Sequence, residues 1–360
     1  MVEGELLTPN LRLVRPLGRA GSHVWVAHFS TLDREVAVKA LDRPLARHSP
    51  QLHRFQREAE VAGHIKSAHV AQVLEHGVTA TGLPYLVMEL LEGEDLASRL
   101  KREGPMSLAE VGRLVFQVAR GLGKAHLLGL VHRNLTPANV FLANAPDGGF
   151  DVKVLDVGLS SSSDLAMGGR VPTGAPADLA PPEYASPEQV FGVKDVDFRA
   201  DLWAIAIVAY RALTGCTPFR ATNPDAFAKA IDKAAFEPPS TIVPTLPPAI
   251  DAWFVKALQR DPAARFGGAK ELADEFGRAA GIEHPDRLVR ASFLPPMSVK
   301  PGRGALTSAA MLSGTGSATT EAVTVIGANR KNRTSSALLI AILAVIGIGT
   351  VIAGLSLMNH

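Results

Sequence analysis

Cysteine is almost absent. The one thiol in 360 residues, Cys216, has no partner in the chain for a disulfide and excludes any zinc site built on several thiolates. In its setting, "LTGCTPF", it is expected as a small buried apolar residue of a domain that works in a reducing compartment. A charge excess is absent too: 37 Lys and Arg face 35 Asp and Glu, a net of +2. Without clustered positive charge, nucleic acid is not an expected partner. Aromatic residues are only 6%. The N-terminal "MVEGELLTPNLRL" lacks a basic-then-apolar run, so no secretory signal is expected there. No internal repeat is visible.

Apolar residues are plentiful, 47% of the chain, enough for one large domain or two ordinary ones. One apolar run stands apart. Ala337 to Met358, "ALLIAILAVIGIGTVIAGLSLM", contains no charged residue. As a helix it would cover roughly 33 Å, matching the hydrocarbon core of a bilayer. Arg330, Lys331 and Arg333 lie just before it and only Asn359 and His360 follow. The positive-inside rule then places the N-terminal part in the cytoplasm, and the expectation is a single-pass, tail-anchored protein. Gly349 with Ala353, and Thr350 with Gly354, form small-xxx-small pairs, the basis for a weak homodimer. Residues 283–333 are rich in Gly, Ser, Thr, Ala and Pro and are expected as a flexible linker.

The remaining residues, 1–282, form the expected globular domain. "LRLVRPL", "HVWVAHF", "EVAVKAL", "VAQVLEHG" and "PYLVMEL" are short β-branched runs separated by turn residues, and predict strands. One helix interrupts them, over about Gln51 to Ile65. Beyond Gly93 the periodicity turns helical. Ser107 and Glu110 make a capping box at the head of a long helix carrying Leu108, Val111, Leu114, Val115, Val118 and Leu122 on one face. "DLWAIAIVAYRALT", Asp201 to Thr214, is apolar almost all round and predicts a helix at the centre of a large domain.

Several motifs then fall in one order along the chain: "LGRAGSHVWVA" from Leu17, "VAVK" ending at Lys39, "RFQREAE" holding Glu58, "VMELLEGEDL", "HRNLTPAN" from His132, "LDVGLS" with Asp156, and "APPEYASPEQ" from Ala180. Together, over about Leu11 to Ala280, they resemble the bacterial, eukaryotic-like Ser/Thr protein kinases. The resemblance implies an α+β, bilobal fold with a β-rich N-lobe over about 11–89 and a helical C-lobe over about 93–280. It also implies ATP and Mg²⁺ as cofactors. Gly18 and Gly21 would let backbone amides approach phosphate, and Val24 and Ala37 would enclose the adenine. Lys39, held by Glu58, would meet the α- and β-phosphates. Met88 would gate the back of the pocket, and backbone groups of Glu89 and Leu91 would bond the adenine edge. Asn139 and Asp156 would hold metal. Glu188 would pair with Arg265, and Asp201 would brace the catalytic-loop backbone; His126 and Trp203 are expected to pack structurally.

Three positions depart from the family pattern, and they belong to one network. The catalytic Asp is Asn134, the lysine that meets the γ-phosphate is Thr136, and the Thr that bonds both is Pro181. The Gly-rich loop is also altered, and Val157 replaces the Phe of the Asp-Phe-Gly motif. The sequence therefore predicts a membrane-anchored, ATP- and Mg²⁺-binding kinase-like domain in cytoplasmic signalling, at the inner face of a bacterial membrane, with phosphoryl transfer weak or absent. The alternatives are an active Ser/Thr kinase and a nucleotide-free scaffold. The sequence leaves the protein partner or substrate unnamed. Ser160 to Ser163, Asp164 and Thr173 would lie on the activation segment, whose hydroxyls are candidates for phosphorylation.

Overall fold

The computed structural model describes residues 1–17, 23–41, 45–46, 49–146, 148–158, 183–221 and 224–282. Gly18, Gly21, Pro181, the activation-segment hydroxyls, the 283–333 linker and the apolar 337–358 run lie outside the described residues. Among the described residues no helix is long and apolar enough to cross a membrane.

The N-terminal part is a six-stranded antiparallel sheet in the order β1-β2-β3-β4-β6-β5. Its strands are β1 (Leu6–Thr8), β2 (Leu11–Pro16), β3 (Val24–Phe29), β4 (Arg34–Ala40), β5 (Val73–Val78) and β6 (Pro84–Glu89). The period-2 alternation of β4 and β6 decides what each face carries. Val36, Val38, Tyr85 and Val87 join Leu11, Leu13, Ala27 and Phe29 in one core. The opposite face presents Ala37, Leu86 and Met88, which pack with Ala59 of helix α1 (Pro50–Gly63). Lys39 shares that second face. Strand β1, ahead of the expected start of the lobe, is too short and mixed to be read from periodicity and exists by pairing with β2.

The C-terminal part is helical around α3 (Leu108–Leu127) and α5 (Arg199–Thr214). The capping box of Ser107 and Glu110 is formed as expected. In α5 every residue from Ala200 to Tyr210 is buried, which is why its apolar character runs all round. The core extends through α2 (Leu96–Glu103), α4 (Pro187–Val190), α6 (Pro224–Lys233), α7 (Pro239–Ile242), α8 (Pro248–Ala257) and α9 (Ala269–Ala280). Trp203 is fully buried and stacks on Phe219 at 5.4 Å, the packing role expected of it. Cys216 is half-buried against this core, its amide facing the Thr214 hydroxyl at 3.4 Å, so it is less enclosed than expected.

A three-stranded sheet, β7 (Gly93–Asp95), β8 (Val140–Asn144) and β9 (Phe150–Val154), lies at the head of this part. None of it was expected from periodicity. Gly93 is obligatory in it: its φ is +139°, and a Cβ would sit 2.1 Å from the Leu142 carbonyl oxygen.

Candidate active site

The catalytic loop is held from below by one carboxylate. Asp201, at the start of α5 and fully buried, accepts from the backbone amides of His132 and Arg133 at 2.9 Å each and from His126 Nε2 at 2.7 Å. Burial alone would raise its pKa. The hydrogen bond from His126, the charges of His132 and His126 and the His132 amide outweigh burial, and the pKa falls below the ordinary carboxylate value. Asp201 thus has the bracing role expected, and His126 is more specific than packing: it completes the brace. His132 donates from Nε2 to the Leu155 carbonyl at 2.9 Å, fastening the loop to the strand that leads to Asp156.

Arg133 has φ +63° and Asp156 φ +58°, left-handed conformations that cost a side-chain-bearing residue about 1–2 kcal/mol. The surrounding hydrogen bonds enforce the first. Besides the amide bond to Asp201, the Arg133 carbonyl accepts from Gln189 Nε2 at 2.6 Å. Gln189 also accepts from the Ser186 amide and hydroxyl at 3.1 Å each. This residue was missed, although Ser186 followed three residues later by Gln189 is a legible capping-box signature. Beside it, Glu188 and Arg265 form the expected pair, bidentate at 2.9 and 2.8 Å. The remaining guanidinium donors reach the carbonyls of Gln259, Arg199 and Arg260, so all five are used.

Asn134 and Thr136 emerge from this scaffold with no such anchoring. Asn134 is exposed, and its side chain makes no hydrogen bond with the described residues; its carbonyl accepts from Asn139 Nδ2 at 2.8 Å. That bond consumes the amide end of Asn139 and leaves Oδ1 as its acceptor. Thr136 is half-buried and heads the 3₁₀ turn Pro137–Asn139 without a side-chain cap.

Across the cleft, Lys39 Nζ lies 2.5 Å from Asp156 Oδ2. The expected Lys39–Glu58 pair is not made. Glu58 accepts from Arg54, one turn earlier on α1, at 3.0 Å, and Arg133 Nη1 stands 3.9 Å away. Two guanidiniums thus compete for the carboxylate while the Asp156 carboxylate attracts the ammonium. The i, i+4 spacing of Arg54 and Glu58 was available in the sequence; the approach of Arg133 was not.

Of the residues expected around an adenine, Ala37 and Met88 lie on the second face of the sheet. Ala37 and Met88 are directly paired across β4 and β6 and are buried with Leu86, while Leu17 and Leu90 pack alongside. Val24 pairs with Lys39 across β3 and β4. The Glu89 side chain turns away from the cleft, accepting from Lys153 Nζ at 2.7 Å and the Gln72 amide at 2.8 Å. Its own amide donates to the Gln72 carbonyl at 3.0 Å. Lys153 was missed, since nothing local signals a bond across 64 positions. Leu91 follows in the connection to β7, half-buried and outside any strand. Val157 is buried at 3% exposure in the same core as Ala62 and Ile65 of the α1 region, so Val fills the position with an apolar side chain as Phe would.

The two lobes, the braced loop and a lysine facing the Asp156 carboxylate define the protein kinase class. Residues 13–276 match the protein kinase domain model. Among curated proteins the chain is 34% identical to the serine/threonine-protein kinase PksC of Streptomyces coelicolor, with 79% of this chain and 50% of that protein covered. It is 33% identical to PknA of Mycobacterium tuberculosis, covering 87% and 69%. Among solved structures, the kinase domain of M. tuberculosis PknI superposes with a TM-score of 0.61 at 26% identity, covering 78% of this chain and 99% of that one. The chain belongs to the bacterial eukaryotic-like Ser/Thr protein kinase family. It spans about half the length of the first curated relatives it matches.

Proposed function

We propose that this chain is a membrane-anchored, kinase-like signalling domain that binds ATP and Mg²⁺ and transfers the γ-phosphoryl group weakly or not at all. The observation that carries this reading is the contrast within one loop: an intact scaffold presents a carboxamide, Asn134, where the family presents a carboxylate. A carboxamide can orient a hydroxyl but cannot take its proton, and general-base assistance is worth ~10²–10⁴-fold. Thr136 supplies no cation beside it, so charge developing on the transferred group lacks one stabilising partner.

The donor set fits the cofactor. The Asp156 carboxylate, the Asn139 Oδ1 left by its bond to Asn134, and the Lys39 ammonium are the oxygen ligands and the cation that a nucleotide phosphate with Mg²⁺ requires. When bound, Mg²⁺ supplies neutralisation of phosphate charge. Lys39 would then exchange its carboxylate partner for phosphate oxygens. Ala37 and Met88 would enclose the base, with the Glu89 carbonyl and the Leu91 amide at its edge. The protein substrate or partner is undefined. The 337–358 run would tether the domain to the inner face of a bacterial membrane, and its small-residue pairs would support a weak dimer.

The test is phosphoryl transfer by the purified full chain in detergent, with Lys39→Met as the control. Transfer within tenfold of PknA, abolished in Lys39→Met, would overturn the reading in favour of an active kinase. ATP binding is read separately by thermal shift: at ~100 times Kd it should stabilise by about 2.7 kcal/mol. No shift at millimolar ATP·Mg²⁺ would leave the scaffold reading instead.

A further inference from the structure

A groove of about 760 Å³ lies on the helical lobe, away from the nucleotide cleft. Its floor is a stripe along α3, Phe116, Ala119, Gly123 and Leu127, closed by Phe198 and by Ala273 of α9. The stripe follows the i, i+3/i+4 spacing of one helix face. Its last member, Leu127, is 80% exposed, and Leu128 after it is 45% exposed. Two consecutive exposed leucines at the end of an apolar groove leave a face without a cover among the described residues.

The end of the described chain indicates what covers it. After α9, Ile282 returns onto α3 rather than into solvent. Its amide donates to the Gly277 carbonyl at 2.8 Å, and its Cδ1 lies so close to Gly112 that a Cβ there would be 2.7 Å from it. Gly112 stands one turn before Phe116 on the same face. The described residues thus end at the head of the stripe. From there to Gly123 is roughly 16 Å along the helix, and Glu283 to Leu288, extended, reach up to about 20 Å. The stretch that arrives, "RLVRASFLPP", carries Leu288, Val289, Phe293 and Leu294, with Arg287 and Arg290 set among them. Both sides carry mixed charge: the segment has Glu283, Asp286, Arg287 and Arg290, and the groove's rim has Arg120, Lys124 and Lys270, the last paired with Asp274, so opposite charges can meet along the path.

We propose that residues 283–294 fold back along α3 and cover this groove in cis, with Phe293 or Leu294 seated beside Leu127. A tether this short gives a millimolar effective concentration, which favours the chain's own segment over a separate partner. His126 also lines the groove and bonds Asp201, so the segment would rest against the brace that holds the catalytic loop. The expected linker would then begin only after a docked strap.

The test uses the full chain in detergent with Cys216→Ser. Leu127→Cys combined with Phe293→Cys or Leu294→Cys should form an intramolecular disulfide under mild oxidation, while Leu127→Cys with Ser317→Cys should not. Independently, Phe293→Asp with Leu294→Asp should accelerate amide exchange in the last two turns of α3 by about tenfold or more. Crosslinks formed only between chains would show a second copy on the groove and overturn the cis assignment. Absence of a preferred crosslink together with unchanged exchange would overturn it as well.

Discussion

The catalytic loop divides at Arg133. On the N-terminal side, His132 and Arg133 are fastened by a buried carboxylate, a histidine and a glutamine, and even a strained left-handed φ is maintained. On the C-terminal side, Asn134 and Thr136 are the changed residues, and neither side chain is held by the described residues. A decaying fold would lose both halves together, because a brace with nothing to position has no reason to stay complete. Here the brace on His132 and Arg133 is complete while the residues at 134 and 136 differ from the family pattern. The loop's shape therefore contributes something that proton transfer does not require, and under the proposed function orienting Asn139 toward Mg²⁺ would be one such contribution.

Restoring the second half gives the sharpest contrast. Asn134→Asp together with Thr136→Lys should raise phosphoryl transfer by ~10²–10⁴-fold, since the scaffold that would position both is present. A radiolabel transfer assay reads it, and no gain would mean that elements beyond the loop also prevent transfer. Breaking the first half should cost stability instead. Arg265→Ala leaves Glu188 buried and unpaired and should destabilise by about 3–5 kcal/mol in denaturant unfolding. A loss under 1 kcal/mol would mean the pair is not buried in solution.

Asp201→Asn is nearly isosteric but turns an NH₂ toward donors. It should cost about 1.5–3 kcal/mol and loosen the loop, read as faster amide exchange at His132 and Arg133. The same residue sets a pH dependence. Its folded pKa is depressed, so its contribution is fully present above the ordinary carboxylate value and is lost as pH falls through the lower folded value. Asp201→Asn should flatten the acid limb of the stability profile, and an unchanged limb would count against the brace. The smallest effect is expected at Gln189→Leu, about 1 kcal/mol for one hydrogen bond to the Arg133 carbonyl. Its readout is the mobility of the loop, and an unaltered loop would assign Gln189 to capping α4 alone.

Much of the architecture was legible because it follows from local period and spacing. The alternation of "EVAVK" sorts Val36 and Val38 from Ala37 and Lys39, and the all-apolar α5 announces a central helix. The pairing of Glu188 with Arg265 was legible only through motif resemblance. The β7–β9 sheet was not, because three short mixed segments become strands only when they meet. The wrong expectation, Lys39 with Glu58, failed for a related reason. Which cation a carboxylate takes depends on what else is within about 4 Å, and that is a property of three elements at once.

By itself, then, the sequence determined which groups stand at the positions that depart from the family pattern: a carboxamide at 134, a hydroxyl at 136, an apolar valine at 157. Side-chain chemistry is carried by the residue and does not await folding. Only the tertiary structure decided which charges meet. Lys39 faces Asp156, Arg54 and Arg133 converge on Glu58, Lys153 takes Glu89, and Asp201 receives three donors from two elements. Electrostatic and hydrogen-bond energies fall off within a few ångströms, so they are settled by distances between segments far apart in the chain, and those distances exist only in the folded molecule.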